Sequence, residues 1–363
     1  MFLHSMSGGL ERALAVAAAL LALLLLAGPA DARAGRKKAI WGPAEVNGKS
    51  QFPIYRDLGA RIYEAGLSWA AVAPTRPRKP KDPRDPAYRW PSYLDYAVKE
   101  ARRYHMRVAL NVTHAPRWAN GGRSREWAPR RPRDYARFVT AAARRYRSVR
   151  LWIIWGEPSR KQNFKPLPRF ESTGPRRYAR ILDAAYSALK RVRRRNLVVG
   201  GNTFTTGDIP ALAYLKAMRL PGGRRPRFDL YGHNPFTRRR PRLSDPPLGF
   251  GFVDFGTLDT LVRRLDRYYP RRRGRRRIKL FLEEFTVPTG HRDHQFNFFV
   301  SESTAASWLT SALRITRRWR RIYALGWFTL YDEAPRPKGD ESLLGLIARN
   351  GRRKPAYYAY RDG

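Results

Sequence analysis

The stretch Asp134–Pro158, DYARFVTAAARRYRSVRLWIIWGEP, joins the pattern of an amphipathic helix to that of a buried strand. Its first half repeats apolar residues at the spacing that predicts one helical face, at Tyr135, Phe138, Val139, Ala142 and Tyr146. The apolar run Leu151–Ile154 is typical of a strand that is covered on both sides. It leads into Glu157, a lone carboxylate between a glycine and a proline. The stretch therefore predicts a helix–strand unit with an acidic residue at the carboxyl end of the strand.

The same alternation of apolar runs and helical periodicity continues along the chain. Eight runs have the character of strands: Ala39–Gly42, Ala60–Trp69, Arg107–Thr113, Arg150–Glu157, Leu197–Thr203, Phe228–Pro235, Lys279–Thr286 and Tyr323–Asp332. Eight strands alternating with helices predict an α/β fold in which a parallel sheet closes into a single-domain (β/α)8, or TIM, barrel. An open doubly wound sheet, the main alternative, needs a glycine-rich phosphate loop after an early strand, and the sequence has none. Long loops should form the carboxyl face, where barrel active sites are built: Pro74–Pro91, Phe236–Gly256 and Val287–Ser301.

Residues 1–34 have the pattern of a secretory signal peptide. The apolar run Ala13–Ala27 is about 15 residues long, whereas a membrane span needs about 20. Small residues then offer A-x-A cleavage sites at Ala30–Ala32 and Ala32–Ala34. We therefore expect a secreted protein, extracellular or associated with the cell wall, whose barrel occupies residues 35–363 without a membrane span. The absence of cysteine excludes disulfides, thiolate metal sites and cysteine nucleophiles.

The chain is strongly basic, with 73 Lys and Arg against 29 Asp and Glu and a formal net charge of +44. The arginines are scattered through nearly every helix and loop, and no recognisable nucleic-acid-binding motif accompanies them. This pattern favours a solvated cationic surface over specific nucleic-acid binding. Such a field also attracts acidic polymers, so anionic cell-wall polymers are possible partners.

Carboxylates at strand ends are the candidate catalytic groups. Glu157 ends the fourth strand, and the segment FLEEF places Glu283 and Glu284 near the end of the seventh. Since neighbouring strand residues face opposite ways, only one of these two should point into the barrel mouth. Strands four and seven lie nearly across a barrel from each other, so two carboxyls would face one another over a cleft. That arrangement suits glycoside hydrolysis, whereas the alternative is that each glutamate pairs with an arginine.

Several segments resemble the barrel glycoside hydrolases of clan A, especially the cellulase-like family 5 and the β-xylosidase-like family 39. Asp134–Pro158 resembles the block that ends in W-N-E-P, and KLFLEEFTVPT, residues 279–289, resembles the strand-seven block with its T-E-[FY]-G core. The blocks LGARIYEAGLSWAAVAP, APRWANGG and GWFTLYDEAP are similar to three further family segments, in the family's order. The resemblance implies a barrel with retaining chemistry, in which Glu157 is the acid/base and Glu284, not Glu283, the nucleophile.

Three positions depart from the family pattern. Gly156 replaces the asparagine that binds the sugar 2-hydroxyl, Glu64 replaces an arginine of strand two, and Pro235 replaces a tyrosine after strand six. The first departure leaves the 2-hydroxyl to another group, for which Asn111 or Asn202 is the candidate. The second removes a cation that would keep the nucleophile ionised.

Further candidates for substrate contact are aromatic or polar residues at strand ends, and each has packing as its alternative role. The resemblance makes Trp327 the sugar platform, since an indole face packs on the apolar side of a pyranose. The others are His233, Asn111, Trp69, Trp118 and Tyr331. No metal site is expected, because the six histidines include no H-x-H or H-E-x-x-H spacing, and the chemistry needs no cofactor.

These observations together predict a secreted retaining glycoside hydrolase acting on a polysaccharide or oligosaccharide. Two other interpretations remain open at the level of sequence. The first is a glycan-binding barrel that has lost catalysis, which the departures at Gly156 and Glu64 suggest. The second is a polycationic surface protein that binds acidic polymers.

Overall fold

A computed structural model of the protein describes residues 37–168, 171–270, 277–290, 296–334 and 342–363. The predicted signal peptide, residues 1–34, lies outside the described residues. Within the described ranges, no helix combines the length and the apolar character needed to cross a membrane.

Within the described residues, eight parallel strands form a closed barrel, so the predicted (β/α)8 fold is confirmed. Each apolar run contributes one strand: β1 Lys38–Trp41, β2 Ile62–Ser68, β3 Arg107–Thr113, β4 Leu151–Ile154, β5 Leu197–Phe204, β6 Leu230–Asn234, β7 Lys279–Phe285 and β8 Ile322–Trp327. Strand β1 closes the ring by pairing with both β2 and β8. A short hairpin of Glu45–Val46 and Lys49–Ser50 follows β1.

Helices follow every strand and cover the outside of the barrel. They are α1 Phe52–Asp57, α2 Trp69–Val72, α3 Ser92–Arg103, α4 Arg117–Asn120, α5 Pro132–Arg145, α6 Thr173–Val192, α7 Ala211–Ala217, α8 Leu258–Tyr268, α9 Glu302–Arg318 and α10 Pro355–Asp362. The apolar face predicted for Asp134–Pro158 is buried in α5, from Tyr135 to Ala143. Because the loops after the strands share one end of the barrel, that end is where a site can form.

The strands separate two apolar layers. The outer layer lies between the sheet and the helices, and the inner layer fills the barrel with Ala39, Ile62, Ala109, Leu151, Ile153, Val199, Leu230, Phe281 and Ala324. Two residues beyond Ile62, Ala109 and Phe281, the buried positions are polar: Glu64, Asn111 and Glu283. With a side-chain period of two, these polar groups lie above the apolar layer, on the way to the carboxyl end.

A β-bulge interrupts this alternation at the end of β7. Leu282 is opposite Leu325 and Phe285 is opposite Trp327, so Glu283 and Glu284 together oppose Gly326. A side chain at Gly326 would overlap the Glu283 carbonyl oxygen and the Glu64 carboxyl, which only glycine avoids. The expectation that only one of the two glutamates faces the interior therefore does not apply here, because the bulge breaks the period.

Candidate active site

Glu157 lies just beyond β4, in a tight turn at the barrel mouth. The turn gives Trp155 a φ of 67° and Glu157 a φ of 44°, in the left-handed region that non-glycine residues rarely adopt. Glu157 is 8% exposed. One of its oxygens accepts from Arg160 Nη1 at 2.8 Å and Asn163 Nδ2 at 2.9 Å, and the other accepts from Asn234 Nδ2 at 2.9 Å. A guanidinium and two amides stabilise the ionised carboxylate.

Asn234, at the end of β6, connects the two candidate catalytic glutamates. Its Nδ2 donates to Glu157, and its Oδ1 accepts from the backbone N–H of Glu284 at 3.2 Å. The two contacts fix the orientation of the Asn234 amide. The backbone N–H of Glu284 can only donate, so the amide oxygen faces it and the amide NH2 group faces Glu157. Asn234 is fully buried and is not among the residues predicted from the sequence, although it is next to His233 in GHNPF.

Glu284 is half-buried at the mouth, and its carboxyl is surrounded by charged groups. Burial raises the pKa of Glu284 well above its ordinary value, the charges of Glu157 and Glu283 raise it further, and Arg160 opposes them. The charge of Glu157 therefore acts on the carboxyl of Glu284. Burial and the two neighbouring carboxyls thus favour the neutral form of Glu284, whereas Arg160 favours its ionised form.

Glu283 lies deeper in the barrel, between two asparagines. Asn111 Nδ2 donates to one of its oxygens at 2.7 Å, and Asn202 Nδ2 donates to the other. Burial raises the pKa of Glu283 to about 8, with a further contribution from Glu157 and with the two amides acting in the opposite direction. Asn111 and Asn202 thus bind the glutamate, and are not directed at a sugar hydroxyl in this structure.

Glu64 is the deepest carboxyl, fully buried with neither oxygen hydrogen-bonded. Burial raises the pKa of Glu64 well above 4.5, and the charges of Glu283 and Glu284 raise it further. Both effects favour the neutral, protonated form of Glu64. It supplies no positive charge to the glutamates above it, which agrees with the consequence expected from losing the family's arginine.

Replacing Glu64 with methionine is expected to stabilise the protein. The change removes a buried polar group without a partner and should raise the free energy of unfolding by about 1–3 kcal/mol. Because the folded pKa of Glu64 is raised, the wild type loses stability as pH increases from about 4.5, so the advantage of the variant should grow from pH 4 to pH 8. Thermal unfolding at both pH values measures this.

Glu100→Met is the matched control, because Glu100 is also buried but accepts a hydrogen bond from the Ser50 hydroxyl at 2.6 Å. This variant should lose stability. A Glu64→Met protein that is less stable than the wild type at pH 8 would contradict the assignment of Glu64 as unpartnered.

His233 has a structural position on β6. Its Nε2 donates to the Val253 carbonyl at 3.0 Å, and its Nδ1 accepts from the Thr203 hydroxyl at 2.9 Å. Burial lowers the pKa of His233 to about 4, so the ring is neutral at pH 7. Both ring nitrogens are occupied, and the residue supports the strand that carries Asn234 rather than contacting a sugar.

The predicted aromatic platforms lie mostly in the core. Trp327 is 2% exposed and packs edge-on against Phe285, and Trp69 is 1% exposed and stacks on Phe138 in the outer layer. Tyr331 is half-buried and donates to Gln51. Core packing, the alternative role, therefore describes both tryptophans, since neither ring has a free face. Trp118 is half-buried and lines a separate cleft between the loop after β2 and helix α5.

A different set of aromatic residues forms a cavity of about 570 Å³ next to the Arg160–Glu157 pair. The loops after β5, β6 and β7 line it with six phenylalanines: Phe204, Phe236, Phe250, Phe252, Phe296 and Phe298. The guanidinium of Arg160, which pairs with Glu157, lies 4.2 Å from the ring centroid of Phe204. Phe204 thus connects the aromatic cavity to the Arg160–Glu157 pair, and Phe250, which also lines the cavity, is 91% exposed. Within the part of the chain described, no group of three or more acidic or histidine side chains is arranged to hold a metal ion.

Comparison with known proteins identifies solved structures that have a similar fold. No protein-family model and no curated protein matches the chain. A family 39 glycoside hydrolase from the gut symbiont Bacteroides cellulosilyticus WH2 matches 92% of the chain with a TM-score of 0.67 at 14% sequence identity. The chain has the fold of the family 39 glycoside hydrolases.

Two other solved structures have a similar fold. A family 39 β-xylosidase from Caulobacter crescentus matches 90% of the chain with a TM-score of 0.57 at 15% identity. A glucosidase from Croceicoccus marinus matches 90% with a TM-score of 0.62 at 14% identity. The chain spans 64%, 70% and 66% of the length of the Bacteroides, Caulobacter and Croceicoccus proteins, respectively. At these identities the structural similarity establishes the barrel fold alone.

Proposed function

We propose that the protein is a retaining glycoside hydrolase that uses Glu157 and Glu284. The observation that supports it most is the single amide of Asn234, which contacts the carboxyl of Glu157 and the backbone N–H of Glu284 and so links the two glutamates at the mouth. Two interacting carboxyls in such a place provide both groups that double displacement needs. The aromatic cavity next to the Arg160–Glu157 pair supplies apolar surface for a sugar ring or its leaving group.

The reaction has two displacements. Glu284 attacks the anomeric carbon while the bond to the leaving oxygen breaks, and Glu157 gives its proton to that oxygen. Glu157, now ionised, then takes a proton from water as the water attacks the same carbon and the bond to Glu284 breaks. The product keeps the anomeric configuration of the substrate, and both glutamates return to their starting state.

Arg160 can influence the charge of both glutamates, because it contacts Glu157 and its charge also acts on Glu284. It pairs with Glu157 in this structure, whereas the first displacement needs Glu157 protonated and Glu284 ionised. Its charge already acts on Glu284 and lowers the pKa of that carboxyl. We infer that substrate moves the guanidinium from Glu157 toward Glu284, which favours the ionised form of Glu284 and the neutral form of Glu157. Arg160 would then supply the charge that Glu64 cannot.

The substrate is proposed to be a polysaccharide or oligosaccharide outside the cell. This rests on the predicted signal peptide of residues 1–34, which leaves residues 35–363 as the exported barrel. Hydrolysis of extracellular glycans also requires no cofactor.

Product stereochemistry tests the proposed function. The wild-type protein is expected to release nitrophenol from some members of a panel of α- and β-nitrophenyl glycosides, and proton NMR should show that the first-formed sugar retains the substrate's configuration. Protein carrying both Glu157→Gln and Glu284→Gln is the blank. Inversion would contradict the mechanism, and saturable glycan binding without hydrolysis of any substrate would support a barrel that has lost catalysis.

A further inference from the structure

A second cleft, of about 520 Å³, lies between the loop after β2 and helix α5. Two acids, Asp82 and Asp134, and the indole of Trp118 line it together with seven cations: Arg76, Arg78, Lys79, Lys81, Arg131, Arg137 and Arg144. We call this set of residues the basic cleft. Its cations lie close together on one concave surface, whereas the other arginines of the chain are scattered.

Most of these cations have no carboxylate partner. In the basic cleft, Arg137 pairs with Asp134 at 3.5 Å. Within the described residues, no ion pair involves five exposed members: Arg76, Arg78, Lys79, Lys81 and Arg131. The nearby acids Asp82, Asp85 and Asp134 offset their mutual repulsion only in part, and an external anion would relieve the remainder.

The loop that carries these cations is held in place by hydrogen bonds. Asp85 accepts from the backbone N–H of Lys79 at 2.6 Å and of Ala87 at 3.0 Å, and the Tyr88 hydroxyl donates to the Pro80 carbonyl at 2.7 Å. These backbone N–H groups also hold the pKa of Asp85 below its ordinary value. A loop fixed in this way loses little conformational freedom when a ligand binds.

The indole of Trp118 is fixed at one wall of the basic cleft. It donates to the Ala73 carbonyl at 2.8 Å, and the guanidinium of Arg76 lies 5.1 Å from its ring centroid. A half-buried indole beside a cation presents apolar surface and charge together. That pairing suits a sugar ring that bears an acidic group.

The position of the basic cleft relates it to the candidate catalytic pair. Its loop follows β2 and its indole follows β3, so it opens at the end of the barrel where Glu157 lies. Along α5, the lining residues extend from Arg131 to Arg144, a length of roughly 20 Å at 1.5 Å per residue. A groove of this length can hold several units of a linear polymer.

We propose that the basic cleft binds an acidic polysaccharide, whose carboxylate or sulfate groups pair with its cations while one sugar ring packs on Trp118. The inference rests on the proposed function, because it makes the ligand of the cleft an extension of the hydrolysed glycan. Charge complementarity supplies the attraction, and the indole selects a glycan over other polyanions. A nucleic acid would need several stacking surfaces, and the basic cleft offers one.

The experiment compares two triple variants with the same change in charge. Arg76→Gln, Arg78→Gln and Arg131→Gln remove three cations from the basic cleft. Arg56→Gln, Arg61→Gln and Arg103→Gln remove three exposed arginines that line a smaller cavity of about 360 Å³ at the opposite end of the barrel. Both sets are made in the Glu284→Gln protein, so that a polymer is bound and not cleaved. Calorimetric titration with polygalacturonate, dextran sulfate, neutral dextran and double-stranded DNA gives the affinities.

The cleft triple variant is expected to lose at least about tenfold in affinity for polygalacturonate or dextran sulfate, and the opposite-end variant less than about twofold. Trp118→Phe, which keeps an aromatic ring, should bind the acidic glycan better than Trp118→Leu, while DNA binding should not distinguish the two. Equal losses in both triple variants would overturn the proposal in favour of a diffuse field. DNA binding that is tighter than glycan binding and is lost with the cleft cations would also overturn it.

Turnover of a small nitrophenyl glycoside separates this proposal from the proposed function. In protein with intact glutamates, the cleft triple variant should hydrolyse the small substrate as the wild type does, because the substrate does not reach the cleft. Localised binding with no hydrolysis by either protein would leave the cleft supported and count against the hydrolase.

Discussion

Glu284→Gln is expected to lower kcat/KM by at least about 10⁴-fold on every substrate that the wild type hydrolyses. Glutamine keeps the size of the side chain but cannot form the glycosyl ester, so the first displacement is lost. Because the backbone N–H of Glu284 makes the contact with Asn234, the substitution leaves that contact in place. Steady-state hydrolysis of a nitrophenyl glycoside measures the effect.

The control is Glu302→Gln, at the start of α9, where the glutamate pairs with Arg352 at 2.8 Å on the surface. This variant should stay within about twofold of the wild type, since surface pairs contribute little. Retention of activity in Glu284→Gln together with its loss in Glu283→Gln would show that the nucleophile had been assigned to the wrong residue of the bulge.

Glu157→Ala should have an effect that depends on the leaving group. For alkyl glycosides and polysaccharides, whose leaving oxygen needs a proton, kcat/KM is expected to fall by about 10²–10⁴-fold. For dinitrophenyl glycosides, which leave as stable anions, the fall in the first displacement should be much smaller, and the second displacement should become rate-limiting. Comparing the two substrate types in one variant removes any general effect of the mutation on folding.

The pH profile provides a second measurement on the same variant. The wild type should lose activity at alkaline pH as the acid ionises, and Glu157→Ala should lack that limb when assayed with the dinitrophenyl substrate. An equal loss on all substrates, with the alkaline limb unchanged, would contradict the role of Glu157 as the acid.

The barrel could be predicted from the sequence because its signal is repeated. The apolar run Leu151–Ile154 and the helical face before it recur in seven further units, so an error in one unit would not have changed the fold. The same argument located Glu157, because a carboxylate that follows a buried strand can only lie at its carboxyl end. Parallel strands bring such ends together, which made the opposition of strands four and seven predictable.

The details of the site depend on local geometry that the sequence does not express. The bulge at Glu283 and Glu284 arises from the pairing of β7 with β8, and a period-two pattern within β7 alone cannot reveal it. The role of Asn234 cannot be predicted from the sequence, because it depends on partners at the ends of two other strands. Trp69 and Trp327 were expected as possible platforms, and burial, which decides between platform and core, is set by neighbours far away along the chain.

The charge pattern was predictable in amount but not in arrangement. A net charge of +44 with scattered arginines indicates a cationic surface, and the sequence distinguishes no part of it. The fold brings Arg76, from the loop after β2, together with Arg131 and Arg144, from α5 and its N-cap, around Trp118. Hydrogen bonds to Asp85 hold one wall of the cleft in place. The basic cleft is therefore a product of the fold.

Trapping the glycosyl–enzyme ester with a 2-fluoro glycoside of the preferred sugar tests the central claim most directly. The fluorine slows both displacements and an activated leaving group restores the first, so the ester accumulates and can be located by peptide mass spectrometry. We expect one equivalent of label on Glu284, and none in the Glu284→Gln protein. Label on Glu157 would assign the nucleophile to the glutamate that pairs with Arg160, and would contradict the roles given to the two glutamates.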